Sequence, residues 1–310
     1  MESIENIILR HSKRGMLKLK EHMDESYCEL AAREIMSWEP GVIFLTTGFY
    51  VAGYPETDGP AGTVVLAKAL KKLGWEPVIV TDSAYAVLFT IRNIAVVPVD
   101  VDFTRDDFRN IITRYRPVGM ISVERCGINV RDDYENMRGE SIREHNSPID
   151  LLFELAPEYS IRTVAVGDGG NEIGMGAIED HIRKYIPYAE LGGCKAGTGY
   201  GILADTKADN LLTATVSDWG CNAIMAAAAF ILGNTDLFHA PEIQSQVMDA
   251  AAEAGMLDMY GEARPYIDGI GKNIVLPMVS LMKALIEYPP TVEDKTALWF
   301  DKTISKGFYK

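Results

Sequence analysis

Between residues 163 and 176 a β-branched apolar run gives way to acids, an amide and five glycines. The segment reads Thr-Val-Ala-Val-Gly-Asp-Gly-Gly-Asn-Glu-Ile-Gly-Met-Gly. Glycine loses more backbone freedom on folding than any other residue, so several within ten positions demand positive φ or close backbone approach. Asp168 and Glu172 flank the turn, and neither welcomes a bare phosphate. Two readings stand. The segment is either a tight structural turn or one shaped around a cation, an ammonium or a metal-bridged anion.

Similar stretches recur at 46–53, 56–62, 124–129 and 217–222. Asp58, Asp168 and Asp218 each fall in one of these loops, so three carboxylates could converge. An oxygen-rich set of this kind suits Mg²⁺ or Mn²⁺, and not the His and Cys ligands of zinc. The competing reading is that all three are turn formers beside glycine, a role aspartate fills well. Glu172 fits the first turn of a helix. Arg125 could clamp a substrate carboxylate through two parallel hydrogen bonds, or pair with a nearby acid. Lys195, in the glycine-dense run 192–201, could hold an anionic group or donate a proton. That run is no Walker A loop, because Cys194 precedes the lysine and Ala196 follows it. Phe49 and Tyr50 either wall a small polar ligand or pack the glycine loop down.

These segments need elements to position them. Short apolar runs at 42–46, 77–81, 94–97, 118–123, 161–166 and 211–216 read as strands. Helical patterns lie between them: one starts at Pro60 and closes at Gly74, one carries Phe108, Ile111, Ile112 and Tyr115, and one is alanine-rich over 222–232. Ser147, Pro148 and Asp150 announce a further helix through cap, first-turn proline and first-turn acid. Two more close the chain, at 241–254 and about 272–288. Strands alternating with helices predict an α/β fold: three layers, α/β/α, around a mostly parallel doubly wound sheet. The expected division is an N-terminal helical extension, 1–40, packed on a single α/β catalytic domain, 41–310. In such a sheet ligands bind beyond the strands' C-terminal ends, where the polar loops fall. The dinucleotide pattern fails, because the glycine loop follows the fifth strand and not the first.

The 310 residues carry 30 Lys and Arg against 44 Asp and Glu, a formal charge of −14. That sign opposes nucleic acid and anionic lipid as partners and points to a small-molecule substrate. The N-terminus lacks a secretory pattern, and the longest apolar stretch, 223–232, is about half a membrane span. Cys28, Cys126, Cys194 and Cys221 share no short spacing, and the five histidines form no metal pattern. A reducing cytoplasm is the expected setting, with the N-terminal helix available for a homo-oligomer interface.

The motifs Thr47-Gly-Phe-Tyr50, Glu56-Thr-Asp-Gly-Pro-Ala-Gly62, Glu124-Arg-Cys-Gly and Val166 to Gly176 together resemble the D-glutamate cyclase family, in particular its C-terminal domain. The resemblance runs from about residue 38 to 288. It implies conversion of D-glutamate to 5-oxo-D-proline and water, helped by a divalent cation, preferably Mn²⁺. Chemistry and placement then suggest Asp168, Glu124 and Lys195 as catalytic groups. Asp58, Asp168 and Asp218 are the expected metal ligands, and Gly48, Tyr50, Gly59, Arg125, Asn171 and Asn222 the expected substrate contacts. Two other functions fit the same loops: a different divalent-metal enzyme acting on a small carboxylate or phosphorylated metabolite, and an amino-acid-binding regulatory module.

Overall fold

The computed structural model describes residues 3–12, 14–189, 201–288 and 304–307. Ten strands are present among them: β1 (Val42–Gly48), β2 (Tyr50–Val51), β3 (Tyr54–Pro55), β4 (Glu76–Asp82), β5 (Ala95–Val99), β6 (Gly119–Arg125), β7 (Arg162–Gly167), β8 (Asn210–Thr213), β9 (Tyr266–Ile267) and β10 (Ile270–Gly271). The helices are α1 (Ile4–Ile8), α2 (Met16–Leu19), α3 (Tyr27–Met36), α4 (Pro60–Lys72), α5 (Ala86–Ile91), α6 (Arg105–Tyr115), α7 (Asp150–Leu155), α8 (Glu179–Tyr185), α9 (Ser217–Leu232), α10 (Pro241–Glu253) and α11 (Lys272–Glu287).

Six strands form one sheet in the order β5-β4-β1-β6-β7-β8, and every pairing is parallel. Strand order therefore reverses between β1 and β6, which opens a crevice beyond their C-terminal ends. Successive residues point to opposite faces of a strand, and the core obeys that period. Ile43 and Leu45 join the larger apolar cluster with α3, α4 and α9, while Phe44 between them joins the other face with Phe108, Ile112 and Leu152. Helices cover both faces, completing the three layers.

The ends of these elements follow local chemistry. Pro60 opens α4 at its first turn, where the missing N–H costs nothing. Thr104 and Asp107 form a reciprocal capping box on α6. Asp268 and Gly269 both take positive φ in the two-residue turn joining β9 to β10. That matches the backbone twist a tight hairpin requires.

The described residues before β1 include the short helices α1, α2 and α3. Ile7, Ile8, Met16, Leu19 and Cys28 are buried within the same apolar cluster as the sheet. Among the described residues no helix is long and apolar enough to cross a membrane.

Candidate active site

The site is built where β1, β6, β7 and α9 meet. At the end of β6 the pairing with β1 slips: Thr47 lies opposite Val123, but Gly48 lies opposite Arg125. Glu124 is the extra residue and sits at φ 45, in the left-handed region. A bulge of this kind re-aims a side chain out of the strand's alternation. Gly59, at φ +90, passes so close that a Cβ there would lie 2.7 Å from both Glu124 Cβ and Thr47 Oγ1. The bulge and that glycine let the β3–α4 loop approach Glu124.

Asp58 lies in that loop. It offers Oδ2 to the Ser217 amide at 3.1 Å and Oδ1 to the Asp218 amide at 3.1 Å, capping the N-terminus of α9. Asp218 returns the contact. Its Oδ1 accepts from Gly59 N at 3.0 Å and Gly62 N at 2.7 Å, capping α4. Asp168 follows β7, in a loop pinned from within by Glu172. The Glu172 carboxylate accepts from the amides of Asp168 (3.1 Å), Gly169 (2.6 Å) and Gly170 (2.7 Å). No helix starts at Glu172; the next helical residue is Gly176.

One oxygen from each of Asp58, Glu124 and Asp168 lies within 4.8 Å of the others, and all three residues are buried. Asp168 Oδ2 is buried without a hydrogen-bond partner, an unusual state for a carboxylate oxygen. Its other oxygen accepts from Arg14, whose second nitrogen reaches Asp268 Oδ1 at 2.7 Å. Ser217 Oγ donates to Glu124. Three hard oxygen donors with an orphaned oxygen among them fit a divalent cation.

Electrostatics follow from burial. Burial pushes Asp58 up to about 6, with Asp268 adding to the shift. Glu124 rises well above the usual carboxylate range through burial and the facing Asp168. Asp168 rises through burial against the opposing pull of Arg14, and Asp218 through burial and Asp58. Glu56, also buried, is raised by burial, Asp268 and Asp58. So many carboxylates cannot all hold charge in a buried volume unless a cation joins them.

The structure places the other expected site residues as follows. Glu124 joins Asp58 and Asp168 in the cluster; Asp218 lies outside it, with Oδ1 on the cap of α4 and Oδ2 buried without a partner. Arg125 does form a bidentate clamp, but on Asp82, with further bonds to the carbonyls of Gly48 (3.1 Å) and Ser147 (2.7 Å). It is fully buried, so the fork serves the fold. Gly48 lies against the Tyr85 ring, and Tyr50 packs edge-on to the same ring with centroids 5.7 Å apart. Asn171 donates to the Glu135 carbonyl at 2.7 Å. Asn222 lies one turn beyond Asp218 on α9, buried, with both amide atoms unpartnered. Lys195 falls outside the described residues.

Sequence reasoning missed Arg14, Glu56, Ser217 and Asp268. Asp268-Gly269 between β-forming residues carries a hairpin signal. Nothing local marks Arg14, which comes from the segment expected to pack outside.

The family model described as D-glutamate cyclase-like, C-terminal, matches residues 4–282. The chain belongs to this family. The match begins at residue 4 and so takes in the three N-terminal helices and Arg14. A curated relative, the human mitochondrial D-glutamate cyclase, is 35% identical over 114 residues, which is 36% of this chain and 17% of that protein. The match thus spans under a fifth of the relative's length. Among solved structures, the UDP-glucose 4-epimerase of Thermus thermophilus in complex with NAD aligns with TM-score 0.30 at 11% identity, over 70% of this chain and 64% of that one. The dTDP-glucose 4,6-dehydratase of Bacillus anthracis str. Ames, also with NAD, aligns with TM-score 0.29 at 13% identity, over 81% and 73%. At these scores neither speaks to ligand or chemistry.

Proposed function

We propose that this chain closes D-glutamate into 5-oxo-D-proline with loss of water. The observation that carries the reading is the convergence of Asp58, Glu124 and Asp168 in a chain that the D-glutamate cyclase-like family model matches over 4–282. In this reaction the α-nitrogen attacks the γ-carboxyl carbon. A C–N bond forms, a C–O bond breaks, and both protons shed by the ammonium end on the departing oxygen. No proton is gained or lost overall, so the site must relay protons and not consume them.

A divalent cation held by Asp58, Glu124 and Asp168, Mn²⁺ or Mg²⁺ by donor type, supplies Lewis acidity toward the otherwise unreactive γ-carboxylate. The chain's own residues do the rest. Glu56 is buried, two residues before Asp58 and outside the cation cluster, and burial with Asp268 and Asp58 raises its carboxyl above the usual range. It is the carboxyl we assign to the relay between nitrogen and departing oxygen. Asp218 and Glu172 carry no step; they fix Asp58 and Asp168 through backbone amides. Burial of the cluster keeps bulk water from the lactam carbonyl.

The test is incubation with D- or L-glutamate and Mn²⁺, followed by chiral separation of 5-oxoproline. Appearance of 5-oxo-D-proline, abolished by exhaustive chelation, supports the reading. Binding of D-glutamate without product sinks it.

A further inference from the structure

The carboxylate cluster suits an ammonium and a metal cation but opposes a substrate's carboxylates. Glu56, Asp58, Glu124, Asp168 and Asp268 all act electrostatically on one another or on Arg14. With Arg125 committed to Asp82, Arg14 is the guanidinium that reaches this cluster among the described residues. Its position is specific. Gly15, at φ +91, lies against the Tyr185 carbonyl with no room for a side chain, which fixes the path of the segment carrying Arg14. Its side chain is 25% exposed, against 1% for Asp168. The exposed part faces a cavity of about 530 Å³ lined by His11, Thr215, Tyr260, Tyr266 and Asp268. Arg14 therefore stands between the buried cluster and an opening large enough for a small metabolite.

Asp168 is the shared partner. It belongs to the candidate cation cluster and it also holds Arg14, while its Oδ2 has no partner. A guanidinium and a divalent cation compete for the same charge. We infer that Arg14 recognises the acidic substrate: a divalent cation takes over Asp168, and the released guanidinium turns within the cavity to grip a substrate carboxylate. The inference rests on the proposed cyclase reading only for the identity of that substrate. A planar fork matches a carboxylate bidentately, and Asp268 keeps one edge of it oriented. By linkage, metal and carboxylate then tighten each other's binding.

The experiment is titration of the whole protein with Mn²⁺, followed by the electron paramagnetic resonance signal of free Mn²⁺, alone and with D-glutamate or glutarate. Glutarate has two carboxylates and no amine to cyclise. In the unaltered protein either dicarboxylate should tighten Mn²⁺ by about tenfold, within the usual span of coupling between sites. In Arg14→Gln, Mn²⁺ alone should bind more tightly than in the parent, and neither dicarboxylate should change it. A merely structural defect weakens metal binding and does not strengthen it. Arg14→Lys keeps the charge without the fork and should retain competition but lose most of the coupling; it carries the test if the glutamine variant does not fold. Unchanged or weaker Mn²⁺ binding in Arg14→Gln, or parental coupling in Arg14→Lys, overturns the inference. Arg14-dependent coupling in a protein that never converts D-glutamate would leave this inference standing and remove the cyclase reading.

Discussion

Asp58 and Asp218 cap each other's helices: Asp58 binds the first amides of α9, and Asp218 binds the amides of Gly59 and Gly62 at the start of α4. The pair locks two loops from opposite sides of the crevice and sets where Asp58 presents its oxygens. Losing a cap typically costs about 1 kcal/mol, and leaving buried amides unsatisfied costs about 1–3 kcal/mol more. Asp218→Ala should therefore lose about 2–4 kcal/mol in urea unfolding and bind Mn²⁺ more weakly. Asp218→Asn keeps the accepting oxygen and should stay within about 1 kcal/mol of the parent. An alanine variant with unchanged stability would show that the reciprocal cap does not hold these loops.

Asp168 and Glu56 separate binding from proton transfer. Asp168→Asn keeps its shape but removes a charge from the cation cluster, so turnover should fall at least about 10²-fold together with Mn²⁺ affinity. Glu56→Gln should lose turnover on the same scale while Mn²⁺ affinity holds. Steady-state rates at saturating Mn²⁺, paired with a direct Mn²⁺ titration, distinguish the two. Near-parental turnover in folded Glu56→Gln would move the relay elsewhere.

Much of this arrangement is legible in the sequence. Short β-branched runs alternating with helices specify the parallel sheet, and the polar loops fall at its C-terminal edge because strands of one parallel sheet share a direction. Asp58, Glu124 and Asp168 stand out in those loops. Their grouping is not legible. Glu124 joins the cluster through a bulge, and a one-residue slip in pairing leaves no mark on local composition. Arg125 has the right chemistry, but its acid partner lies 43 residues away in Asp82, at the end of β4. Arg14 and Asp268 are separated by 254 residues and meet only in the folded chain. Glu172 reads as a helix-entry acid because spacing cannot tell that role from a side chain folding back onto its own loop.

The Arg125–Asp82 pair yields a stability prediction in place of a binding one. Removing one partner of a buried pair leaves an uncompensated charge and costs about 3–5 kcal/mol. Arg125→Met should lower the urea midpoint accordingly. Arg125→Lys, if folded, should leave the KM for D-glutamate near the parental value. A KM raised about tenfold or more in the folded lysine variant, about 1.4 kcal/mol of lost binding, would return Arg125 to the substrate.

Stability should depend on pH and metal together. The folded-state pKa of Asp58 is raised to about 6 by burial, above its ordinary value near 3.8. Between those values the folded chain holds more protons than the unfolded one, so stability falls as pH rises. Glu124 and Asp168 shift the same way. Metal-free protein should lose melting temperature as pH rises from about 4 to 6, and further above that through Glu124 and Asp168. Saturating Mn²⁺ should restore more of it at the higher pH, since the cation competes with protons. Differential scanning fluorimetry with and without Mn²⁺ checks this. A Mn²⁺ effect that shrinks with rising pH contradicts it.

In the proposed reaction, buried carboxylates and a divalent cation drive an intramolecular dehydration. The most direct measurement follows D-glutamate labelled with ¹³C at the γ-carboxyl by NMR, in metal-stripped protein and after adding Mn²⁺. The carboxylate resonance should stay unchanged before the addition and convert to a lactam carbonyl after it. Lactam formation at the same rate in the stripped protein, or none in the Mn²⁺-loaded protein, would contradict the proposed reaction.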